Sequence, residues 1–169
     1  MAAIELASIA AWLLSYKSSK SVLEKYLDGP EATAISGSTA GLTLAAITLP
    51  AGIRQFPETA YDLRAAPYGQ NAWKATRMAC THSVYFCVYE GLSRHIKRKP
   101  AWDIVDYSSI AFASAVAAMA MRAASLSFYN GPVTNPVFGP DKARILLVST
   151  LGMSFVTTSF EFLQRTLYS

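Results

Sequence analysis

Ala34-Ile-Ser-Gly-Ser-Thr-Ala-Gly-Leu-Thr-Leu-Ala-Ala-Ile-Thr-Leu-Pro-Ala-Gly-Ile53 decides how the rest of the chain is read. No charged residue occurs from Ala32 to Ile53, a run of 22 positions. As a helix this run is roughly 30 Å long, the hydrocarbon thickness of a bilayer. It is not uniformly greasy. Gly37, Gly41 and Ala45 recur at four-residue spacing, with Ser36, Ala40 and Thr43 beside them. Small side chains on one flank let two helix backbones approach closely inside a membrane. A buried helix of a water-soluble protein also tolerates small residues, but two glycines there would each cost about 1 kcal/mol relative to alanine. The remaining apolar stretches favour the membrane reading.

Composition agrees with it. Of the 169 residues, 52% are hydrophobic and 15% charged, against roughly 25% charged in an ordinary soluble domain. Mean hydropathy is +0.25 and the pI about 9.1. The net charge of +4 is scattered apart from one cluster, which argues against nucleic acid as a partner. Cys80 and Cys87, seven apart on one predicted helix, would be separated by roughly 10 Å, too far to bridge. The apolar piece Ile4 to Tyr16 contains Glu5 and has no basic region before it, unlike a secretory leader. It is not Arg-rich either, so a mitochondrial address would be internal.

Outward from the glycine-bearing run, residues 1–30 are expected to form an amphipathic, interfacial helix and linker. Ile4, Ala7, Ile9, Trp12, Leu13 and Tyr16 make an apolar piece too short to span. Trp12 and Tyr16 suit the headgroup level. A polar break follows from Lys17 to Lys25, and Asp28-Gly29-Pro30 is turn chemistry.

Residues 31–169 are expected to hold four transmembrane helices, over about 33–53, 73–92, 107–122 and 143–163. The second is the weakest, because only Met78 to Tyr89 is uncharged. Lys74 and Arg77 can snorkel outward from its start. His82 lies within it as a hydrogen-bonded bundle residue. Glu90 near its end and Arg122 at the end of the third span are the candidate intramembrane charges, which need partners in lipid. In the third span Ala111 and Ala115, and again Ser114 and Ala118, repeat the four-residue spacing. That repetition makes the first and third spans expected neighbours, with Gly37, Gly41, Ala45, Ala111 and Ala115 as packing residues. Between the second and third spans, Arg94, Lys97, Arg98 and Lys99 place four basic residues in six positions. Such a patch beside a span either holds anionic headgroups, a cardiolipin for example, or enforces topology. With these four included, the basic residues divide seven to eight between the two sides, so orientation stays open.

Chemistry-bearing motifs are lacking. The sequence has no GxxxxGK[ST], HExxH or CxxC, and Gly37-Ser-Thr-Ala-Gly41 is not a GxSxG elbow. No catalytic residue, metal site or cofactor other than bound phospholipid is expected.

Several of these residues together resemble a known family. Gly37-x-x-x-Gly41 within Ser38-Thr-Ala-Gly-Leu-Thr43 is one feature, and Asn71-Ala-Trp-Lys74 leading to Tyr89-Glu90 is another. Lys99-Pro100 before Asp103 and Asp106 is the third, and Arg122 closing the third span is the fourth. Over roughly 33–163 the chain resembles the four-helix inner-mitochondrial-membrane family of presequence and carrier translocase channel subunits. It looks most like the branch that serves as an accessory subunit of respiratory complex I. Two departures stand out. Ala111 and Ala115 occupy places that are glycine in the family. The first span has no cysteine with which to make the carrier-translocase pairing. The resemblance implies a multi-pass, non-catalytic subunit of the mitochondrial inner membrane. Its partners would be other subunits of a large respiratory complex and phospholipid. Two alternatives follow from the same likeness: a protein-conducting subunit of a preprotein translocase, with Thr43, His82, Ser83, Ser108 and Ser114 lining its path, or a scaffold in another respiratory assembly.

Overall fold

The computed structural model of the chain describes residues 2–48, 68–95, 104–127 and 140–168. They form five α-helices: α1 (Ala2–Leu23), α2 (Gly29–Thr48), α3 (Tyr68–Ser93), α4 (Ile104–Ser127) and α5 (Pro140–Tyr168). No strand occurs among the described residues. The all-helical expectation therefore holds, and each predicted span falls on one helix, with residues 49–53 of the first outside the described residues. The chain divides into two compact units, Met1–Cys87 and Val88–Ser169.

In the first unit α1 packs on α2. The turn between them is set by Asp28, whose carbonyl accepts the Ala32 N–H at 2.9 Å. Pro30 then sits in the first turn of α2, where a missing N–H costs nothing, and Glu31 favours the positive end of the helix dipole. The buried face of α2 comprises Ala32, Thr33, Ser36, Gly37, Ala40, Gly41, Leu44, Ala45 and Thr48. Its two glycines abut the backbone of α3. A methyl added at Gly37 would lie 2.7 Å from Ser83 Cα and 3.0 Å from the His82 carbonyl. One added at Gly41 would collide with the Met78 carbonyl and lie 2.8 Å from Ala79 Cα. Ser83 Oγ seals this contact by donating to the Ala34 carbonyl at 2.9 Å.

Two expectations are corrected here. The helix that the glycines receive is α3, whereas residue spacing had pointed to α4. Small residues at four-residue spacing mark a contact face without naming its partner. The complementary row, Ala75, Ala79, Ser83 and Cys87, lies on α3. The second correction concerns the N-terminus. α1 is one unbroken helix through the polar stretch, and Trp12 and Tyr16 are each only 2% exposed. Trp12 packs on Phe86, Tyr85 and His82 at centroid distances of 5.0, 5.5 and 5.6 Å. Tyr16 stacks on Phe86 at 3.6 Å. Both rings are bundle core, not headgroup anchors, because α3 offers an aromatic face that outcompetes the interface.

The second unit is built on the antiparallel pair α4 and α5. From α4 the buried row is Asp106, Ile110, Ala113, Ser114, Ala117, Ala118 and Met121; from α5 it is Thr150, Met153, Ser154, Thr157 and Glu161. Two reciprocal hydrogen bonds clamp the helices. Ser154 Oγ donates to the Ala111 carbonyl at 2.7 Å, and Ser114 Oγ donates to the Met153 carbonyl at 3.3 Å. Ala111 and Ala115 themselves stand half-buried on the flank of this seam, and Ala111 contributes through its carbonyl.

Both units bury large apolar side chains, Trp12, Tyr16, Tyr85 and Phe86 in the first and Ile110 and Met153 in the second, together with small and hydroxylated ones, while Ile35 and Leu42 of α2, Val105, Phe112 and Met119 of α4, and Leu147, Val148, Leu151, Phe155 and Leu163 of α5 stand exposed. On length and composition, one described segment qualifies as a membrane span: Val105–Ser125, 21 residues with mean hydropathy 1.2. Only 33% of its apolar window is buried. Four spans are thus not established by hydropathy. Ser36, Ser38, Thr39 and Thr43 dilute α2, and Lys74, Arg77 and Glu90 dilute α3. A direct consequence is that Leu42→Phe, on the outward side of α2, should change unfolding free energy by less than about 0.5 kcal/mol in detergent titration.

Candidate functional site

Antiparallel pairing brings the first turn of α4 to the last turn of α5, and with them an ion pair on a buried carboxylate: Arg165 Nη1 donates to Asp106 Oδ2. Asp106 is 3% exposed and Glu161, one turn before Arg165, is 5% exposed. The guanidinium also lies over the Tyr107 ring, 5.4 Å from its centroid. From the last turns of α3, Tyr89 directs its hydroxyl to Glu161 Oε1 at 3.5 Å. Tyr107 meets Phe162 edge-on at 5.7 Å. Burial works against the Arg165 cation, but the hydrogen bond and charge of Asp106, with Glu161 and Tyr107 adding to them, outweigh it and hold the guanidinium ionised above its ordinary range.

Chemically this is a clamp. A guanidinium between two carboxylates and a ring face fixes the register of three helix ends. Beside the clamp, Tyr107, Phe155, Thr158, Ser159, Phe162 and Leu163 line an apolar groove of about 430 Å³.

The predicted site residues are distributed as follows. Gly37, Gly41 and Ala45 share the buried face of α2. Glu90 and Arg122 are half-buried. Arg94 is exposed just beyond α3, while Lys97, Arg98 and Lys99 lie outside the described residues. The polar residues that a conducting path would need are engaged elsewhere. Thr43 bonds Ser15 at 2.8 Å, His82 Nδ1 bonds the Met78 carbonyl at 2.7 Å, and Ser83 and Ser114 bond neighbouring helices.

Sequence reasoning treated Asp106 as a flank of the third span and Glu161 as the close of the fourth, and gave Arg165 no role. The available signal was positional. Consecutive antiparallel helices juxtapose the start of one with the end of the next, so an acid in the first turn and a base in the last become partners. Cys80 and Cys87 are both free, as their spacing required.

Comparison with protein-family models, with curated proteins and with solved structures finds no match to this chain. The family likeness therefore rests on the residues quoted for it.

Proposed function

We propose that this chain is a multi-pass, non-catalytic subunit of the mitochondrial inner membrane, an accessory subunit of the respiratory complex I membrane arm that braces the assembly and holds phospholipid. One observation carries the membrane part: Val105–Ser125 of α4 is long and apolar enough to cross a bilayer, yet only 33% of its apolar window is buried, with Phe112 and Met119 facing outward. In water that arrangement forfeits the hydrophobic effect. In lipid it is the favourable one, since small and hydroxylated residues form close helix contacts and the outer surface needs only to be apolar.

The accessory role is supported by what the polar residues do. The hydroxyls of Ser15, Thr43, Ser83, Ser114 and Ser154 bond between helices, the His82 imidazole bonds within its own helix, and Asp106, Glu161 and Arg165 form a structural clamp. The complex I assignment rests on the likeness around Gly37-x-x-x-Gly41, Tyr89-Glu90, Asp103, Asp106 and Arg122. A translocase role would call for those same polar groups to line a path, which their hydrogen bonds disfavour.

The test is a native-gel separation of mildly solubilised mitochondria with in-gel NADH dehydrogenase staining. The chain should co-migrate with that activity, and its deletion should lower the amount of intact complex. Co-migration with a presequence-sensitive channel, or with another respiratory complex alone, would refute the assignment.

A further inference from the structure

α1 is the helix whose sequence argued against a crossing. Its apolar piece stops at Tyr16, and a polar stretch from Lys17 to Lys25 follows. In the fold the helix runs through that stretch without a break, from Ala2 to Leu23. Its 22 residues amount to about 33 Å, enough for the hydrocarbon of a bilayer. Residues 24–28 then reverse the chain, with the Leu27 N–H donating to the Leu23 carbonyl at 2.9 Å, and α2 returns antiparallel along α1. Ser15 Oγ and Thr43 Oγ1, well away from that turn, share a hydrogen bond of 2.8 Å. Ser8, Trp12 and Tyr16, spaced by four residues, are all buried. α1 is therefore held along its length and not only beside the turn.

The polar stretch is satisfied from within the chain. Ser19 Oγ donates to the Ser15 carbonyl, and Ser21 Oγ donates to the Ser18 carbonyl at 2.9 Å. The Lys20 ammonium lies 3.7 Å from a Glu24 carboxylate oxygen and 5.6 Å from the centroid of the Tyr16 ring. Its side chain is only 16% exposed, and Lys17 is half-buried. Hydrocarbon demands that polar groups find partners inside the protein, a demand that water does not make. The face of α1 turned the other way carries Leu14 and Val22, 56% and 53% exposed.

We infer that α1 crosses the membrane beside α2 as a further span, which places its Ala2 end and the 24–28 turn on opposite faces of the bilayer. The inference rests on the membrane-subunit reading above. An interfacial helix lies in the plane of the bilayer, across the spans, with both ends at one face. A helix clasped antiparallel along a crossing helix takes the direction of that helix instead. The compartment that meets Ala2 is then not the one that meets Tyr26, which is 80% exposed in the turn.

The experiment uses the full chain in sealed native membrane vesicles of one orientation, with Cys80 and Cys87 replaced by serine and one cysteine returned as Ala2→Cys, Leu14→Cys or Tyr26→Cys. Labelling by a membrane-impermeant maleimide is read before and after the vesicles are opened by freeze–thaw. Of Ala2→Cys and Tyr26→Cys, one should label in sealed vesicles and the other at least tenfold faster after opening than before. Leu14→Cys should label at least tenfold more slowly than either end in opened vesicles. Equal access or equal protection of the two ends in sealed vesicles, with the chain retained in the membrane after alkaline carbonate, would overturn the crossing and leave the membrane-subunit reading standing. Rapid labelling of Leu14→Cys in a carbonate-resistant chain would do the same. Release of the chain by carbonate would overturn both.

Discussion

Gly41→Leu is expected to lower the stability of the purified chain by about 3 kcal/mol, the upper part of the range for overpacking, and, if the proposed function holds, to deplete the chain from its complex. What the new side chain meets is main chain: the Met78 carbonyl and, at 2.8 Å from the first added carbon, Ala79 Cα. A flexible side chain could swing away. A helix backbone moves only as a rod, so relief requires separating α2 from α3 along their length. That would take Ser83 out of reach of the Ala34 carbonyl, a bond of 2.9 Å. Against a total stability of about 5–15 kcal/mol, such a loss depletes the folded population in cells. Denaturant titration in mild detergent, with steady-state abundance in cells, measures both effects. Leu42→Phe, one position on and 49% exposed, provides the contrast. Equal stability of Gly41→Leu and the wild type would remove the α2–α3 contact from this account.

Arg165→Met should be nearly as damaging for an electrostatic reason. It leaves Asp106, 3% exposed, without its counter-charge, and breaking a buried pair from one side costs about 3–5 kcal/mol. The sign of the rescue is the informative part. Adding Asp106→Asn to Arg165→Met removes the stranded carboxylate and should recover about half of the loss or more, since replacing both members of a buried pair is often near neutral. A double-mutant cycle in detergent gives the coupling. If the double variant is as unstable as the sum of the two single ones, Asp106 and Arg165 do not stabilise each other and the clamp is misassigned.

Much of the helical architecture was legible in the sequence because it depends on local signals. The uncharged run beginning at Ala32, the turn at Asp28-Gly29-Pro30 and the apolar stretches around Ala113 and Ser154 each announce a helix by length and punctuation. The packing role of Gly37 and Gly41 was legible for the same reason. Partner choice was not. Spacing on α2 matched rows on both α3 and α4, and only the fold shows Ala79 and Ser83 against the glycines. Trp12 and Tyr16 were misplaced because an amphipathic aromatic suits a headgroup or an aromatic core equally well. The stacking partner Phe86 lies 70 or more residues away. The Asp106–Arg165 clamp went unread because each residue, taken alone, is an ordinary charge at a helix end.

The claim on which the rest depends is that the outward apolar faces meet lipid. The most direct measurement places a nitroxide at Phe112→Cys, in a background lacking Cys80 and Cys87, and reads its accessibility in reconstituted bilayers. Phe112 is 69% exposed on the outer face of α4. The account predicts frequent collision with molecular oxygen, which concentrates in the hydrocarbon, and little with a water-soluble nickel chelate. Strong broadening by the chelate and weak response to oxygen would show that face in water, and would contradict the account at its base.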